Sequence, residues 1–348
     1  MPFFIPTLLA VFAASTFLVG RFIQLAPRLG LIDRPNARSS HTRETPRGGG
    51  VVFVVLWAIL QATLPYFYPE STYPLLILLP GALGVAVVGL IDDAYGLSAK
   101  SRAAVHLAAS MLTVLLLGGV ESLDIGTRLL PLGLLLGSLA TGLLISWSIN
   151  LYNFMDGIDG FAGTEAIFVF GSGGAFLWHA GAVALGISAL ILAATVAGFF
   201  VWNRPQAKIF MGDVGSGFLG FMGLAFAVIG EKYYSVPVLI WVILYSVFWV
   251  DASLTLIRRI SRGESWYTAH RTHAYQKLRH QLGWSLEKIL KGTLCLNGLL
   301  AVIAYWSMTH RQFLTLGCLL AFGLVGGTYA MISRAAANTR IGINGVFH

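Results

Sequence analysis

Residues 182–201 read AVALGISALILAATVAGFFV, twenty residues without a charge. An α-helix needs about 20 apolar residues to cross the hydrocarbon core of a bilayer. Ten further apolar runs have this character. The sequence therefore predicts an all-α, polytopic integral membrane protein with about 11 transmembrane helices and a single domain over residues 1–348. The predicted spans are 3–25, 51–66, 74–91, 103–119, 129–149, 162–178, 182–201, 214–230, 236–257, 289–307 and 312–332.

The composition of the whole chain agrees with these runs. Apolar residues make up 56% of the 348 residues and charged residues 11%, whereas a soluble domain carries about 25% charged residues. This shortage of charge excludes an ordinary soluble enzyme. The two cysteines, Cys295 and Cys318, lie in apolar runs and form no disulfide framework.

The excess of basic residues, +8, is better explained by membrane topology than by nucleic acid, and we expect no nucleic-acid partner. Of the 23 Lys and Arg residues, all but Arg128, Lys232 and Arg311 fall on one set of loops and helix ends. The positive-inside rule places that set in the cytoplasm. The predicted N-terminus is then outside and the C-terminus inside. The cytoplasmic segments are 26–50, 92–102, 150–161, 202–213, 258–288 and 333–348.

Five aspartates lie in three of these short cytoplasmic segments. Acids in loops are commonly solvated charges, but these five stand in glycine-rich or apolar surroundings where a solvated charge is not needed. An ionisable group at the membrane boundary is a candidate functional residue. The five are Asp92, Asp93, Asp156, Asp159 and Asp213.

Segment 150–160 places an oxygen-bearing side chain at every third position. On a helix this spacing puts the side chains on one face, although the glycines at 157 and 160 suggest that the helix breaks midway. Oxygen ligands suit a hard cation such as Mg²⁺. The alternative is a structural row that caps a broken helix. The row consists of Asn150, Asn153, Asp156 and Asp159.

Two other acidic motifs flank predicted helix ends. Asp92 and Asp93 end a helix and are followed by Lys100 and Arg102. Asp213 stands between glycines at a helix start, where backbone N–H groups can bind an anion while the carboxylate holds a cation. The alternative for Asp213 is an ordinary helix N-cap.

The basic loops suggest phosphate binding. His270, Arg271 and His273 lack a zinc-site pattern, and arginine offers a fork of donors to phosphate oxygens. Contact with lipid head groups is the alternative. Segment 33–50 is basic, ends in three glycines and has the length to wrap phosphates.

Acids for Mg²⁺, cations for phosphate and glycines for close backbone approach, all on one membrane face, indicate phosphoryl transfer. An ion-coupled secondary transporter is the alternative, because transporters also have about ten spans and broken helices. Their coupling acids lie near the bilayer midplane. Here the deepest acids are Asp251 and Glu165, and neither belongs to a cluster.

These motifs resemble those of the polyprenyl-phosphate N-acetylhexosamine-1-phosphate transferases, glycosyltransferase family 4, and within them the bacterial O-antigen initiating branch. The resemblance runs from Asp33 to about Lys277. It is most specific in segments 153–160 and 210–216, and weaker in Asp92-Asp93 with Lys100 and in segment 270–273.

The resemblance implies an active site on the cytoplasmic face of a bacterial inner membrane protein. Asp213 and Asn153 would bind Mg²⁺, or Mn²⁺ as a substitute. The resemblance implies four catalytic residues. Asp92 and Asp93 would position the lipid phosphate and metal, or act as base. Asp156 and Asp159 would bind nucleotide or support the metal site. The implied phosphate- or substrate-binding residues are Lys100, Arg102, Asn150, Asn203, His270, Arg271 and His273.

The implied reaction transfers N-acetylhexosamine-1-phosphate from a UDP-sugar to undecaprenyl phosphate, with release of UMP. A phosphate monoester is mostly dianionic at neutral pH, since its second pKa is about 6. A strong general base is therefore not required, and direct attack by the lipid phosphate is favoured over an aspartyl-phosphate on Asp92 or Asp93. UDP-N-acetylglucosamine and UDP-N-acetylfucosamine are the leading donors. Membrane lipids are the expected surroundings, and a homodimer is an allowed assembly.

Overall fold

A computed structural model describes residues 4–35, 43–69, 73–264 and 272–344. Within these ranges the chain is almost wholly helical, which confirms the predicted all-α class. Two short antiparallel strand pairs interrupt the helices: β1 (Ile32–Asp33) with β2 (Thr45–Pro46), and β3 (Ser122–Asp124) with β4 (Leu129–Pro131). Single turns of 3₁₀-helix occupy Ala26–Leu29 and Arg311–Phe313.

The first eight helices form most of the bundle. They are α1 (Phe4–Leu25), α2 (Gly50–Phe67), α3 (Tyr73–Tyr95), α4 (Ala99–Leu117), α5 (Gly133–Met155), α6 (Phe161–His179), α7 (Val183–Asn203) and α8 (Asp213–Tyr234). The remaining helices are α9 (Val238–Leu244), α10 (Ser246–Ile260), α11 (Ala274–His280), α12 (Leu286–Thr309) and α13 (Leu314–Asn344).

Ten helices of the described residues are long and apolar enough to span a membrane, against the eleven spans predicted. The exception is the predicted span 236–257. It is divided into α9 and α10, which meet at an angle of 78°. The physical reason lies in α10, whose buried side includes Asp251, Thr255 and Arg259 and is therefore not apolar along its length. Counted as one broken span, the pair restores the total of eleven.

Helix α8 lies at the centre of the bundle. In the most apolar stretch of α8, 94% of the residues are buried, whereas 17% are buried in the corresponding stretch of the first span, which contains α1. Close packing here depends on glycine: a Cβ on Gly220 would come within 2.5 Å of the Ser148 carbonyl oxygen on α5. On the neighbouring α3, a Cβ on Gly89 would come within 2.5 Å of the Asp213 backbone. Small residues thus let α3, α5 and α8 approach closely, and this packing brings their polar ends together.

Candidate active site

Three predicted loops meet at one end of the bundle. Arg102 at the start of α4 contacts Asp213 at the start of α8. Asn203 at the end of α7 contacts the backbone of Gly160, just before α6. Residues separated by 43 and 111 positions are therefore neighbours, and one end of the bundle holds all five aspartates singled out from the sequence.

Asp93 closes the amino end of α8. Its carboxylate accepts hydrogen bonds from the backbone N–H groups of Asp213 (3.0 Å) and Val214 (3.2 Å) and forms an ion pair with Arg47. A negative charge at a helix N-terminus is favourable, because the unpaired N–H groups there carry partial positive charge. The expectation that these N–H groups bind an anion agrees with this contact. The anion is the protein's own Asp93 side chain, because α3 packs closely enough to deliver it.

Asp92 and Asp213 share one cation. The same guanidinium nitrogen of Arg102, Nη1, lies 2.7 Å from the Asp92 Oδ2 and 2.7 Å from the Asp213 Oδ2. Both carboxylates keep part of their surface accessible, with side-chain exposures of 10% and 21%. Two carboxylates this close together repel each other, so the positive charge of Arg102 between them stabilises the arrangement.

Asn153 joins this group from α5. Its Nδ2 donates to the Ser216 Oγ at 3.1 Å, and its side chain also hydrogen-bonds to Asp213. The two residues predicted to bind the metal, Asp213 and Asn153, are therefore adjacent. Their helices, α5 and α8, are held in register at this point.

The helix that carries Asn150 and Asn153 ends at Met155. The predicted row on one helical face therefore stops at Asn153, because the glycine-containing loop 156–160 follows and Gly160 adopts φ +75°. Asp159 lies in this loop and accepts a hydrogen bond from the Ala207 N–H at 3.0 Å. The predicted break in the helix is confirmed, and the continuous row of four is not.

Asp156 immediately follows α5. Its side chain is partly accessible, yet protein atoms surround it closely. Burial, and then the neighbouring Asp213 and Asp93 carboxylates, raise the pKa of Asp156 to about 7. This carboxyl therefore changes its protonation state near neutral pH, where proton exchange with a substrate needs no large change in pH.

Two of the residues predicted to bind phosphate or substrate, Asn203 and Asn150, contact other parts of the protein, and a third, Lys100, is exposed. Asn203 is buried, accepts from the Gly160 N–H at 3.1 Å and donates to the Ile209 carbonyl at 2.9 Å. It joins two loops. Asn150 donates to the Ser146 carbonyl in its own helix. Lys100 is exposed and forms no ion pair with a described residue.

His273 begins α11 and lies against α10. Its Nδ1 is 3.3 Å from the Asp251 Oδ1, and the Ala274 N–H donates to both oxygens of that carboxylate at 2.9 and 3.0 Å. Asp251, which the sequence left outside any cluster, therefore fixes the start of α11. His270 and Arg271 lie outside the described residues.

Sequence reasoning missed two further residues. Tyr275 donates from its hydroxyl to the Phe154 carbonyl at 3.2 Å and so ties α11 to the end of α5. Arg47, the partner of Asp93, lies within the basic segment 33–50 but was not distinguished from its other arginines. Its position beside three consecutive glycines was the available signal, since glycines permit the close approach that the ion pair requires.

The oxygen atoms at this end suit a hard cation. No group of three acidic, histidine or cysteine side chains at metal-binding spacing occurs in the described ranges. Mg²⁺ does not need one, because it is typically held by one or two carboxylates together with substrate phosphates and water. Asp92, Asp213 and the Asn153 amide supply that kind of set, with Arg102 providing the positive charge between the two carboxylates.

Comparison with known proteins shows which family the chain is similar to. Residues 75–231 match the profile of glycosyl transferase family 4, and this range contains all five aspartates and Asn153. Similar proteins include the probable undecaprenyl-phosphate N-acetylglucosaminyl 1-phosphate transferase of Bacillus subtilis (strain 168), 29% identical over 262 residues that cover 73% of this chain and 71% of that protein.

Two others align over more of the chain. Decaprenyl-phosphate N-acetylglucosaminephosphotransferase of Mycobacterium tuberculosis (strain ATCC 25618 / H37Rv) is 29% identical and covers 91% of this chain and 85% of its own length. Undecaprenyl-phosphate alpha-N-acetylglucosaminyl 1-phosphate transferase of Escherichia coli (strain K12) is 26% identical, and the alignment covers 92% of this chain and 89% of that protein. With the matched profile spanning the site, this multi-span membrane protein is similar to glycosyl transferase family 4 and is a transferase.

Proposed function

We propose that the protein transfers N-acetylhexosamine-1-phosphate from a UDP-sugar to undecaprenyl phosphate, and so starts a lipid-linked glycan such as O-antigen. The observation that carries the proposal is the pair of carboxylates, Asp92 and Asp213, converging on Arg102 at one end of a bundle of membrane-spanning helices. Such an end lies where a membrane-anchored phosphate and a water-soluble nucleotide can meet. The similar proteins from bacteria, which are named as polyprenyl-phosphate N-acetylglucosamine-1-phosphate transferases, support the same reaction.

The reaction exchanges one phosphoanhydride for another. An oxygen of the lipid phosphate attacks the β-phosphorus of the UDP-sugar, the bond between the α- and β-phosphates breaks, and UMP leaves with that electron pair. No oxidant or reductant is needed. The acceptor is already dianionic at neutral pH, so the residues serve mainly to position the two phosphates and neutralise their charge.

Mg²⁺, when bound by Asp213, Asn153 and Asp92, would supply positive charge to the phosphate oxygens. Arg102 orients both carboxylates through its shared nitrogen, and Lys100, exposed beside it, adds a second positive charge at the start of α4. Asp93 orients the α8 N-terminus and thereby the Asp213 backbone. Asp156, with a pKa that burial and the neighbouring carboxylates raise to about 7, can hold or release a proton near neutral pH.

The donor sugar is the finer part of the proposal. UDP-N-acetylglucosamine leads, because the relatives carry N-acetylglucosamine in their names; UDP-N-acetylfucosamine is the second candidate. A site that hydrogen-bonds a sugar hydroxyl discriminates strongly against a sugar that lacks it. Each donor offered alone to the purified protein therefore identifies the natural one by its rate.

A radiolabelled transfer assay tests the reaction. The purified full chain in lipid nanodiscs receives labelled UDP-N-acetylhexosamine and undecaprenyl phosphate, with Mg²⁺ or with a chelator. We expect labelled lipid and UMP in equal amounts, and loss of both on chelation. Labelled lipid without UMP, or full activity in the chelator, contradicts the proposal. The transporter alternative predicts uptake into vesicles without transfer. Its candidate acids are both engaged: Glu165 with Asn297 (2.8 Å) and Asp251 with the start of α11.

A further inference from the structure

A second polar cavity lies away from the candidate active site. It has a volume of about 200 Å³ and is enclosed by the end of α10, by α11 and by the second half of α13. Its described lining is strongly basic, and the acid among these residues is Glu264. The basic lining residues are Arg258, Arg259, Arg262 and Lys277.

Lys277 and Arg259 are the two buried cations of this lining. The residue surface of Lys277 is only 6% exposed. Its Nζ donates to the Ser333 Oγ at 2.9 Å and lies 4.7 Å from the centre of the Tyr329 ring. No carboxylate of a described residue forms an ion pair with it. Since burying an ammonium group without an opposite charge is costly, Lys277 is placed where an anion would stabilise it.

The charges around Lys277 do not cancel. Glu264 lies 3.6 Å from Arg259, so four cations face one carboxylate. Arg258 and Arg262 form no ion pair with a described residue. Burial lowers the pKa of Lys277, and the nearby Arg258 also lowers it, whereas Tyr329 and Asp251 act in the opposite direction.

The cavity is separate from the aspartate cluster. Tyr275 and Lys277 lie on opposite sides of the short helix α11. The Tyr275 hydroxyl reaches the end of α5, whereas Lys277 reaches Ser333 on α13. Beside the cavity, Ile257, Ile260 and Met331 are 57–64% exposed, as suits helix surfaces that face lipid.

We infer that this cavity binds a phosphate group through Arg258, Arg262 and Lys277, as part of a phospholipid head group or as a free phosphate ion. Arginine presents a planar fork of N–H donors that matches phosphate oxygens, and a lysine ammonium adds a point charge. Basic pockets between membrane helices bind anionic lipid head groups in the same way. The inference goes beyond the proposed transfer reaction and does not depend on it.

Direct binding measurements test it in two arms. In the first, the full chain in nanodiscs of phosphatidylglycerol and phosphatidylcholine is released into the gas phase, and native mass spectrometry records the retained lipid. In the second, the detergent-purified chain is titrated with inorganic phosphate and its thermal unfolding is followed. We expect phosphate-dependent stabilisation, selective retention of phosphatidylglycerol, or both. The lipid arm alone identifies a head-group site, and the phosphate arm alone identifies a free-ion site.

Variants locate the binding. The double variant Arg258→Gln/Arg262→Gln changes side chains at the cavity rim and should weaken binding about tenfold or more, because two charge-assisted hydrogen-bond donors are lost. Lys277→Gln should do the same if it folds. Lys288→Gln, an exposed lysine at the start of α12 beside Trp284, removes a charge outside the cavity and should bind as the parent does. Absence of binding in both arms, or equal binding by the parent and the double variant, overturns the inference.

Discussion

The two ends of the bundle use the same kinds of charged residue in different ways. At the end opposite the site, Glu231 accepts from the backbone N–H groups of Asp124 (2.8 Å) and Val238 (2.5 Å), and Arg311 pairs with Asp124 at 2.6 Å. Each carboxylate there has its own nearby donors. These contacts hold the β3–β4 hairpin, α9 and the turn before α13 together.

At the site end the carboxylates are crowded. Asp92 and Asp213 divide one guanidinium nitrogen between them, and Asp156 forms no ion pair with a described residue. The difference teaches that acidic residues alone do not mark a catalytic end. A better indication of a candidate catalytic end is a set of carboxylates that share one cation or have none. That arrangement is unfavourable for stability and is retained where a ligand completes the charge balance.

The test with the largest expected effect asks from which side of the membrane each end of the bundle can be labelled. In a background with Cys295 and Cys318 replaced by serine, cysteines at Ser98 and Gln206 should react with an impermeant thiol reagent only from the cytoplasmic side. A cysteine at Tyr233 should react only from outside. Labelling of positions 98 and 206 from opposite faces contradicts a single site. Positions 37 and 265 provide two further cytoplasmic labels outside the described residues.

Asp213→Asn should produce the largest loss of activity. The side chain keeps its shape but loses the charge that a cation needs, and we expect the transfer rate to fall about 10³-fold, or ~4 kcal/mol of transition-state free energy. The initial rate at limiting and at saturating Mg²⁺ measures it. Near-normal turnover at limiting Mg²⁺ would contradict the metal assignment. Retained membrane insertion and thermal unfolding temperature serve as the folding control.

Arg47→Gln should have a smaller effect, because Arg47 acts through Asp93 and not on the substrate. With the ion pair removed, Asp93 holds the α8 N-terminus less firmly, and kcat should fall about tenfold, ~1.4 kcal/mol. KM for the UDP-sugar should stay within a factor of two. Arg47→Lys should restore most of kcat. A rise in KM with unchanged kcat points instead to direct contact with the donor.

Glu231→Gln should leave activity nearly unchanged and reduce stability. It lies on the same helix as Asp213, at the opposite end, and makes the matched change from carboxylate to amide. The amide nitrogen cannot accept a backbone N–H, so we expect a loss of about 1–3 kcal/mol of unfolding free energy. Thermal unfolding and the rate per folded molecule check this. A rate loss like that of Asp213→Asn would abolish the distinction between the two ends.

The sequence was sufficient for the apolar spans, because lipid solvation imposes a length of about 20 residues that is visible in one dimension. It was also sufficient to choose Asp92, Asp93, Asn153, Asp156 and Asp213, which the structure brings to one end. It was not sufficient for contacts between distant residues. That Asp93 reaches the α8 N-terminus depends on the close packing of α3 on α8, and no local pattern records that packing.

The same limit explains the ninth span. The hydropathy of residues 236–257 predicts one helix. The bend at Tyr245 depends instead on α10 placing Asp251 and Thr255 against α11 and α13. Asp251 appeared isolated along the chain for the same reason. Its partner His273 follows 22 positions later, beyond the range in which helical spacing relates one side chain to another.

The contact of Asp93 with the α8 N-terminus also implies the order in which contacts form during synthesis of the chain. Arg47 and Asp93 are 46 positions apart, whereas Asp93 and the α8 N-terminus are 120 apart. A chain inserted from its N-terminus therefore has the Arg47–Asp93 pair available once α3 is made, well before α8 emerges. Truncated chains ending before Asp213 contain a partnered Asp93 but lack the carboxylate that shares Arg102 with Asp92. The proposed cation site is thus complete only when the eighth helix docks, and we expect no transfer activity from a chain that ends before Asp213.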